Sequence, residues 1–343
     1  ADSGLSDNLV HNRLNFKWFI NPNFKLVAEM RNRFIVGDQL RFNPFYAEGL
    51  ETSNDYFDLS YTIEDKGNYI VHLMMDRLYL QYTLQNLEIK AGRQRINWGI
   101  SSAWNPNDIF NAFSYFDFDY EERPGSDAVI LKYYTGIASS IEIAGNAAEN
   151  LDEFTGAGLW HINFKNYDFQ VLTGISNRNL VIGGGWAGNI KKAGFKGEAS
   201  YFTPTINALD TTTSLSATIS LDYSFKNSLY LNASTLYSSN GTAHPSTLDQ
   251  VFYYSGNISA KYLSPYLWSV FVQGAYQFHP LIYGGAAVIG YRGNTDLFLG
   301  PYMTFSILQS LDFDIFAQIL LSEVNEIYRV TTQAYFFRFK YSF

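Results

Sequence analysis

The chain contains no cysteine. That excludes a disulfide framework, thiol catalysis and a zinc–thiolate centre. Charge is also sparse: Asp, Glu, Lys and Arg make up 16% of the residues, against roughly 25% in a typical soluble domain. No apolar run approaches the about 18 residues that a membrane-crossing helix needs. The five histidines, His11, His72, His161, His244 and His279, are scattered, which argues against a metal centre. The net charge of −8 argues against nucleic-acid binding. No GxSxG elbow and no glycine-rich phosphate loop is present, so the expectation is a non-enzyme without cofactor. The opening ADSGLSDN lacks a basic n-region and an apolar h-region, and is expected to be a mature or trimmed start.

What the chain has in excess is aromatic residues, 17% of the total, with 26 Tyr, 28 Phe and 6 Trp. Tyr and Trp are the residues that girdle membrane interfaces. They fall into an alternating pattern. In the last segment, Tyr335, Phe337, Phe339, Tyr341 and Phe343 share one parity, while Arg338, Lys340 and Ser342 share the other. On a strand the two sets point to opposite faces. Near the start, His11, Arg13, Asn15 and Lys17 oppose Leu14, Phe16, Trp18 and Ile20. After the turn Asn21-Pro22-Asn23, Lys25, Glu29, Arg31 and Arg33 oppose Phe24, Leu26, Ala28 and Met30. Ser216, Thr218, Ser220 and Asp222 likewise oppose Leu215, Ala217, Ile219 and Leu221.

About 17 such two-faced strands of about ten residues can be counted, separated alternately by tight turns and longer connections. The tight turns are expected at Asn21–Asn23, Gln85-Asn86, Gly136, Asn166-Tyr167, Lys191-Lys192, Lys226-Asn227, His279-Pro280 and Gln309-Ser310. Longer connections are expected at 38–69, 98–125, 146–155, 204–210 and 240–265. A soluble sandwich would need several cores with linkers, and none is visible. The pattern therefore predicts an all-β fold, a single transmembrane antiparallel barrel over 1–343 with about 16–18 strands. Lipid takes the apolar face and a wet lumen the polar one, and closure leaves no edge. If Phe343 ends the last strand on the periplasmic side, the first strand runs inward from outside. An even strand count then calls for one further strand ahead of Ala1.

The stretch from Ala91 to Val129 is the most distinctive. It carries Arg93, Arg95 and Asp108, the acidic residues Asp117, Asp119, Glu121 and Glu122, and a series of aromatics from Trp104 to Tyr120. So many rings do not suit a solvated loop, which is expected to fold on itself or inward. Its arginines are expected to pair with carboxylates, more readily as a structural network than as a ligand site. The acidic run suits calcium in ligand type, but its spacing matches no EF-hand loop, and a plain acidic surface is the stronger expectation.

GRQRINWG, WNPNDIFN and DYEERPGSDAV, together with HNRLNFKW, YQFHPLIYGG and the terminal strand, resemble porin-like outer-membrane barrels of Gram-negative bacteria. The group is the one near the alginate-export and phosphate-selective porins. The resemblance implies an inward loop that narrows the pore, with Arg93, Arg95 and Asp108 near the constriction. It also implies that Tyr341 and Phe343 belong to a terminal signal read during assembly in the outer membrane. The expected function is a porin-like channel passing small hydrophilic solutes by diffusion. Arg13, Lys17, Lys25, Glu29, Arg31 and Arg33 line its lumen, where the basic residues bias it toward anions or are balanced by carboxylates. The alternative is a non-conducting accessory barrel of a larger outer-membrane complex, with loops 38–69, 98–125 and 240–265 as docking surfaces. Partners would be outer-membrane lipid, lipopolysaccharide, small solutes and, in the alternative, other outer-membrane proteins.

Overall fold

A computed structural model describes residues 4–43, 46, 50, 56–113, 125–206, 208, 210–242, 258–292, 296–324 and 327–343. Eighteen strands form one antiparallel sheet. They begin with β1 (Asp7–Phe19), β2 (Phe24–Gly37), the short β3 (Ser60–Asp65), β4 (Tyr69–Leu84), β5 (Leu87–Gln94) and β6 (Ser126–Gly136). Next come β7 (Ser139–Asn146), β8 (Thr155–Phe164), β9 (Tyr167–Ser176), β10 (Asn179–Ile190), β11 (Ala193–Pro204) and β12 (Ser214–Ser224). The last six are β13 (Tyr230–Ser238), β14 (Trp268–His279), β15 (Ile282–Tyr291), β16 (Leu297–Leu308), β17 (Leu311–Val324) and β18 (Ile327–Tyr341). One five-residue helix, α1 (Asp38–Phe42), follows β2.

Most tight turns lie at one rim of the sheet and the long connections at the other, where the β9–β10 turn at Asn177-Arg178 is nevertheless tight. Lys165 and Asn166 both take positive φ, 51° and 64°, as do Asn177 and Arg178, at 48° and 58°. This is the geometry of two-residue hairpin turns matched to strand twist. The turn expected at Asn166-Tyr167 thus sits one residue earlier, and that expected at His279-Pro280 one residue later, between His279 and Ile282. The connection 38–69 is not a plain loop, because α1 and β3 lie within it.

β3 adds a strand without adding a position around the sheet. It pairs with the first half of β4, Ser60 opposite Met74, while β5 pairs with the second half, Leu78 opposite Arg93. The two lie end to end along one side of β4, whose other side holds β2. Sixteen antiparallel pairings in succession therefore link β1 to β18. Because that number is even, the two outermost strands run in the same direction, from the loop rim to the turn rim. Among the described residues β1 pairs with β2 and β18 with β17, so these two are the edges of the sheet.

The burial pattern is inverted relative to a soluble sandwich. On β12, Leu215, Ile219 and Leu221 are exposed, while Ser214, Ser216, Thr218 and Ser220 are buried. Val129, Leu131, Ile141, Ile143, Trp160, Val171, Ile182, Val270 and Val272 continue the exposed apolar face on other strands. Tyr335, Phe337, Phe339 and Tyr341 stand on it too. An outward apolar band around polar inward positions is the arrangement that suits lipid outside and water inside. Towards the turn rim the band becomes aromatic, with Phe24 4.6 Å from Tyr82, Tyr223 4.6 Å from Phe225 and Phe313 4.6 Å from Phe339. No helix among the described residues is long and apolar enough to cross a membrane.

Candidate functional site

The inner face is filled by the connection between β5 and β6. Ile96, Trp98, Ala103, Trp104, Asn105, Asn107, Asp108, Ile109 and Asn111 are all buried. Polar groups fix the segment to the wall. Trp98 donates from Nε1 to Glu142 of β7 at 3.0 Å, and its carbonyl accepts from Gln170 of β9 at 2.7 Å. The amides of Ile100 and Ser101 donate to the two carboxylate oxygens of Glu198 on β11, at 3.3 and 3.1 Å. Ser102 accepts from Asn232 of β13 at 2.7 Å. Asn107 donates to the carbonyl of Gly184 on β10 at 3.0 Å and accepts from Ser200 of β11 at 2.7 Å.

Apolar contacts follow the same path. Ile96, Trp98 and Ile109 pack with Ile130, Leu159, Leu172, Val181 and Phe202 from β6 to β11. Ala103 and Trp104 pack with Leu236, Phe271, Ile289, Phe298 and Leu320 from β13 to β17. One short segment thus meets strands from β6 to β17, and the sheet curls around it.

A second segment, around Ala260–Leu263, packs at the loop rim. Ala260 joins the first apolar cluster and Leu263 the second. Lys261 donates to Asn179 at 2.9 Å and to Asp210 at 2.7 Å, and Tyr262 also donates to Asp210. Burial acts to raise the Asp210 carboxyl, but hydrogen bonds from Lys261, Thr212 and Tyr262 outweigh it and hold the group well below the usual carboxylate range. The Tyr262 phenol is pushed up by burial and by that same carboxylate.

The wall from β1 to β5 carries charge instead. Arg13 bonds Glu29 at 2.6 Å, Arg31 bonds Asp76, and Arg33 lies 3.3 Å from His72. A β-bulge sets part of this up. Glu29 pairs with Arg77 and Met30 with Met75, which leaves Asp76 as the extra residue and brings two consecutive charged side chains, Asp76 and Arg77, off the solvent-exposed face into burial. A bulge re-aims side chains in this way. Lys17 and Lys25 share the inward parity of this wall. Inward ion pairs recur around the sheet: Lys90–Glu88, Lys132–Glu142, Lys196–Asp222 and Arg338–Asp314. In each the cation is the more exposed partner, most clearly Arg338 at 37% against Asp314 at 10%.

The residues expected at the constriction do not form one cluster. Asp108 sits in the inward segment, its amide bonded to the Asn105 carbonyl at 3.1 Å and its carboxylate near Glu198. Arg95 is half-buried at the base of that segment. Arg93 is 1% exposed and lies in the wall. It bonds Asp127 at 2.8 and 3.1 Å and donates to the Phe57 carbonyl, while the Phe57 amide donates to Asp127 at 2.8 Å. The pair joins the ends of β3 and β5 where they meet beside β4. Gly92, at φ 119°, gives the strand the bend that aims Arg93 there. Asp117, Asp119, Glu121 and Glu122 lie outside the described residues. Tyr341 and Phe343 stand exposed at the turn rim with rings 6.2 Å apart.

Sequence pattern missed Glu198, Asn107, Gln170 and Asp76. The signal for Glu198 was a lone carboxylate at an inward position of a strand whose opposite neighbours are Gly183, Gly184 and Gly185.

The curled sheet with an inward segment is a known architecture. No family model matches the chain, and no curated protein does. Solved structures do. Pseudomonas aeruginosa OccK5 (OpdH) matches with a TM-score of 0.57 at 9% identity, covering 98% of this chain and 96% of that one. OccK11 (OpdR) of the same organism gives 0.53 at 11% identity, covering 99% and 95%. Acinetobacter baumannii OccAB3 gives 0.54 at 12% identity, covering 97% and 92%. All three are outer-membrane porins. At these identities the likeness is one of fold: the chain has the fold of an outer-membrane porin barrel, similar to the Occ type rather than to alginate-export or phosphate-selective porins.

Proposed function

We propose that this protein is a passive channel for small hydrophilic solutes in the outer membrane of a Gram-negative bacterium. The observation that carries the reading is the one-sided inward segment. Residues 96–111 follow the wall from β6 to β17, and the wall from β1 to β5 faces them with arginines and lysines. Solutes pass between the two. A polar interior of this kind conducts water and ions, and its charges set the preference. The cations project further than their carboxylate partners, so anions are favoured although the whole chain is acidic. Arg13, Lys17, Lys25 and Arg33, with Glu29, line the solute's side of the constriction, and Arg31, buried against Asp76, backs them. Arg95 and Asp108 flank the segment's base and seat, and Arg93 holds the wall. Tyr341 and Phe343 serve as the assembly signal.

Conductance of purified protein in a planar lipid bilayer tests the reading. Discrete open steps with a reversal potential on the anion-selective side support it. Absence of conductance from folded, heat-modifiable protein would sink it and favour the accessory barrel, whose partners would then be sought by mild extraction from native membranes.

A further inference from the structure

We propose that Glu198 is the positioning residue that fixes the bore of the channel, by pinning the inward segment permanently to β10 and β11. The inference rests on the channel reading.

Glu198 is 1% exposed and sits in mid-strand on the inner face. It uses both carboxylate oxygens on consecutive amides, Ser101 N–H on Oε1 and Ile100 N–H on Oε2. Those amides belong to a chain that has left the sheet and has no strand neighbour to satisfy it. A buried amide without an acceptor costs about 1–3 kcal/mol, so a carboxylate here replaces the missing backbone partner. The wall opposite is shaped for this contact. Glu198 pairs in register with Gly185, and a side chain at Gly185 would come within 3.0 Å of Ile100 Cδ1. The glycine leaves the hollow that Ile100 fills. A second pin stands two register positions away, on the same face. Ser200 pairs with Gly183, and Asn107 spans from Ser200 to the Gly184 carbonyl. Residues 100–107 are therefore fastened at both ends to the same two strands.

The two pins differ in chemistry. Asn107 makes one donated and one accepted bond, which many polar pairs could imitate. Glu198 must accept twice, and only a carboxylate does so at that place. A glutamine offers one oxygen and turns its NH2 toward the other amide, donor against donor. The pinned segment is thus a fixed partition, and the opening beside it has a constant width.

The test combines conductance with a cross-link that reads the seat directly. In the Asn107→Cys/Ser200→Cys background, whose reduced form gives the reference step size, the disulfide is expected to form in high yield and to leave that step unchanged. Glu198→Ala is expected to raise single-channel conductance about two-fold or more, with added current noise, and to slow the cross-link. Glu198→Gln should fall between, and the disulfide should return either variant to the reference step size. Folded Glu198→Ala with the reference conductance and cross-linking would overturn the proposal. So would a disulfide that changes the reference step, which would mean that the segment moves in normal operation. If Glu198→Ala fails to fold, Glu198→Gln carries the same comparison. If wild-type protein does not conduct at all, the channel reading falls and the assignment of a bore falls with it. Equal cross-linking rates in the reference background and with Glu198→Gln would remove the pin separately.

Discussion

Arg93 and Asp127 face each other across β5 and β6, joined by bonds of 2.8 and 3.1 Å and almost wholly buried. Both also hold the backbone of Phe57, the guanidinium through its carbonyl and the carboxylate through its amide. Removing one partner strands the other charge together with one Phe57 backbone group, the carbonyl if Arg93 is lost and the amide if Asp127 is lost. Arg93→Ala is expected to cost about 3–5 kcal/mol. Arg93→Lys keeps the charge but loses the fork that serves two acceptors, and should recover only part of it. The temperature at which the folded band converts to the unfolded one on a gel measures both. A conversion unchanged in Arg93→Ala would refute the structural role.

Gly183 is required by the inward segment rather than by the strand. A Cβ there would lie 2.5 Å from Ser200 Oγ, 2.7 Å from Asn107 Oδ1 and 3.0 Å from the Ala199 carbonyl. Gly183→Ala is expected to destabilise by about 1–3 kcal/mol and to loosen the segment. Gly158, on the outer face, has its nearest such neighbour 3.7 Å away, and Gly158→Ala should be close to neutral. Thermal conversion and single-channel noise, compared between the two variants, decide this.

Charge on the free wall should set ion preference. Lys17→Glu with Lys25→Glu reverses two inward charges without touching the ion pairs described above. The anion-to-cation permeability ratio is expected to fall about two-fold or more, with little change in stability. Reversal potentials in a salt gradient read the ratio. No shift would place the conduction path elsewhere.

The contact of Lys261 with Asp210 should resist mild acid. The Asp210 carboxyl is held below its unfolded value of about 3.9, so its contribution is present in full above that value and is lost as the pH falls through the lower, folded one. Ala260, buried and next in sequence to Lys261, can report on it as Ala260→Cys. Its labelling by a maleimide is expected to be equally slow in samples exposed to pH 7 and to about pH 4.5, and faster after exposure to stronger acid. Asp210→Asn should raise labelling at every pH. Fast labelling already at pH 4.5 would contradict the sign.

Much of this fold was legible in the alternation of side chains, because lipid outside and water inside impose opposite chemistry on successive residues. Leu215 and Ser216 face apart for that reason, and so do Phe337 and Arg338. Asp76 marks where the rule breaks. One extra residue in β4 shifts the phase, and a period-two reading cannot see a shift that a partner strand absorbs. β3 escaped notice because six residues within a long connection look like loop. The constriction was legible only as an excess of rings and charges between Ala91 and Val129. Which strand each would meet depends on how far the sheet curls. Arg93 and Asp108, close in sequence, end in different neighbourhoods because the chain turns inward between them.

From Trp98 to Trp104 the inward segment meets its wall in chain order, before Asn107 returns to β10 and β11. Trp98 bonds Glu142, 44 residues on, and then Gln170, 72 residues on. Ile100 reaches Glu198 across 98 residues and Ser102 reaches Asn232 across 130. Along this outward limb, later strands find their contacts further along the same short stretch. A wall laid down one hairpin at a time would therefore always have its next docking point already presented, and no single step would have to close the whole interval at once. Long-range closures are what make β-rich chains slow to fold. On such a route the segment would be a mandrel on which the curve of the sheet is wound before it becomes a partition in the finished one.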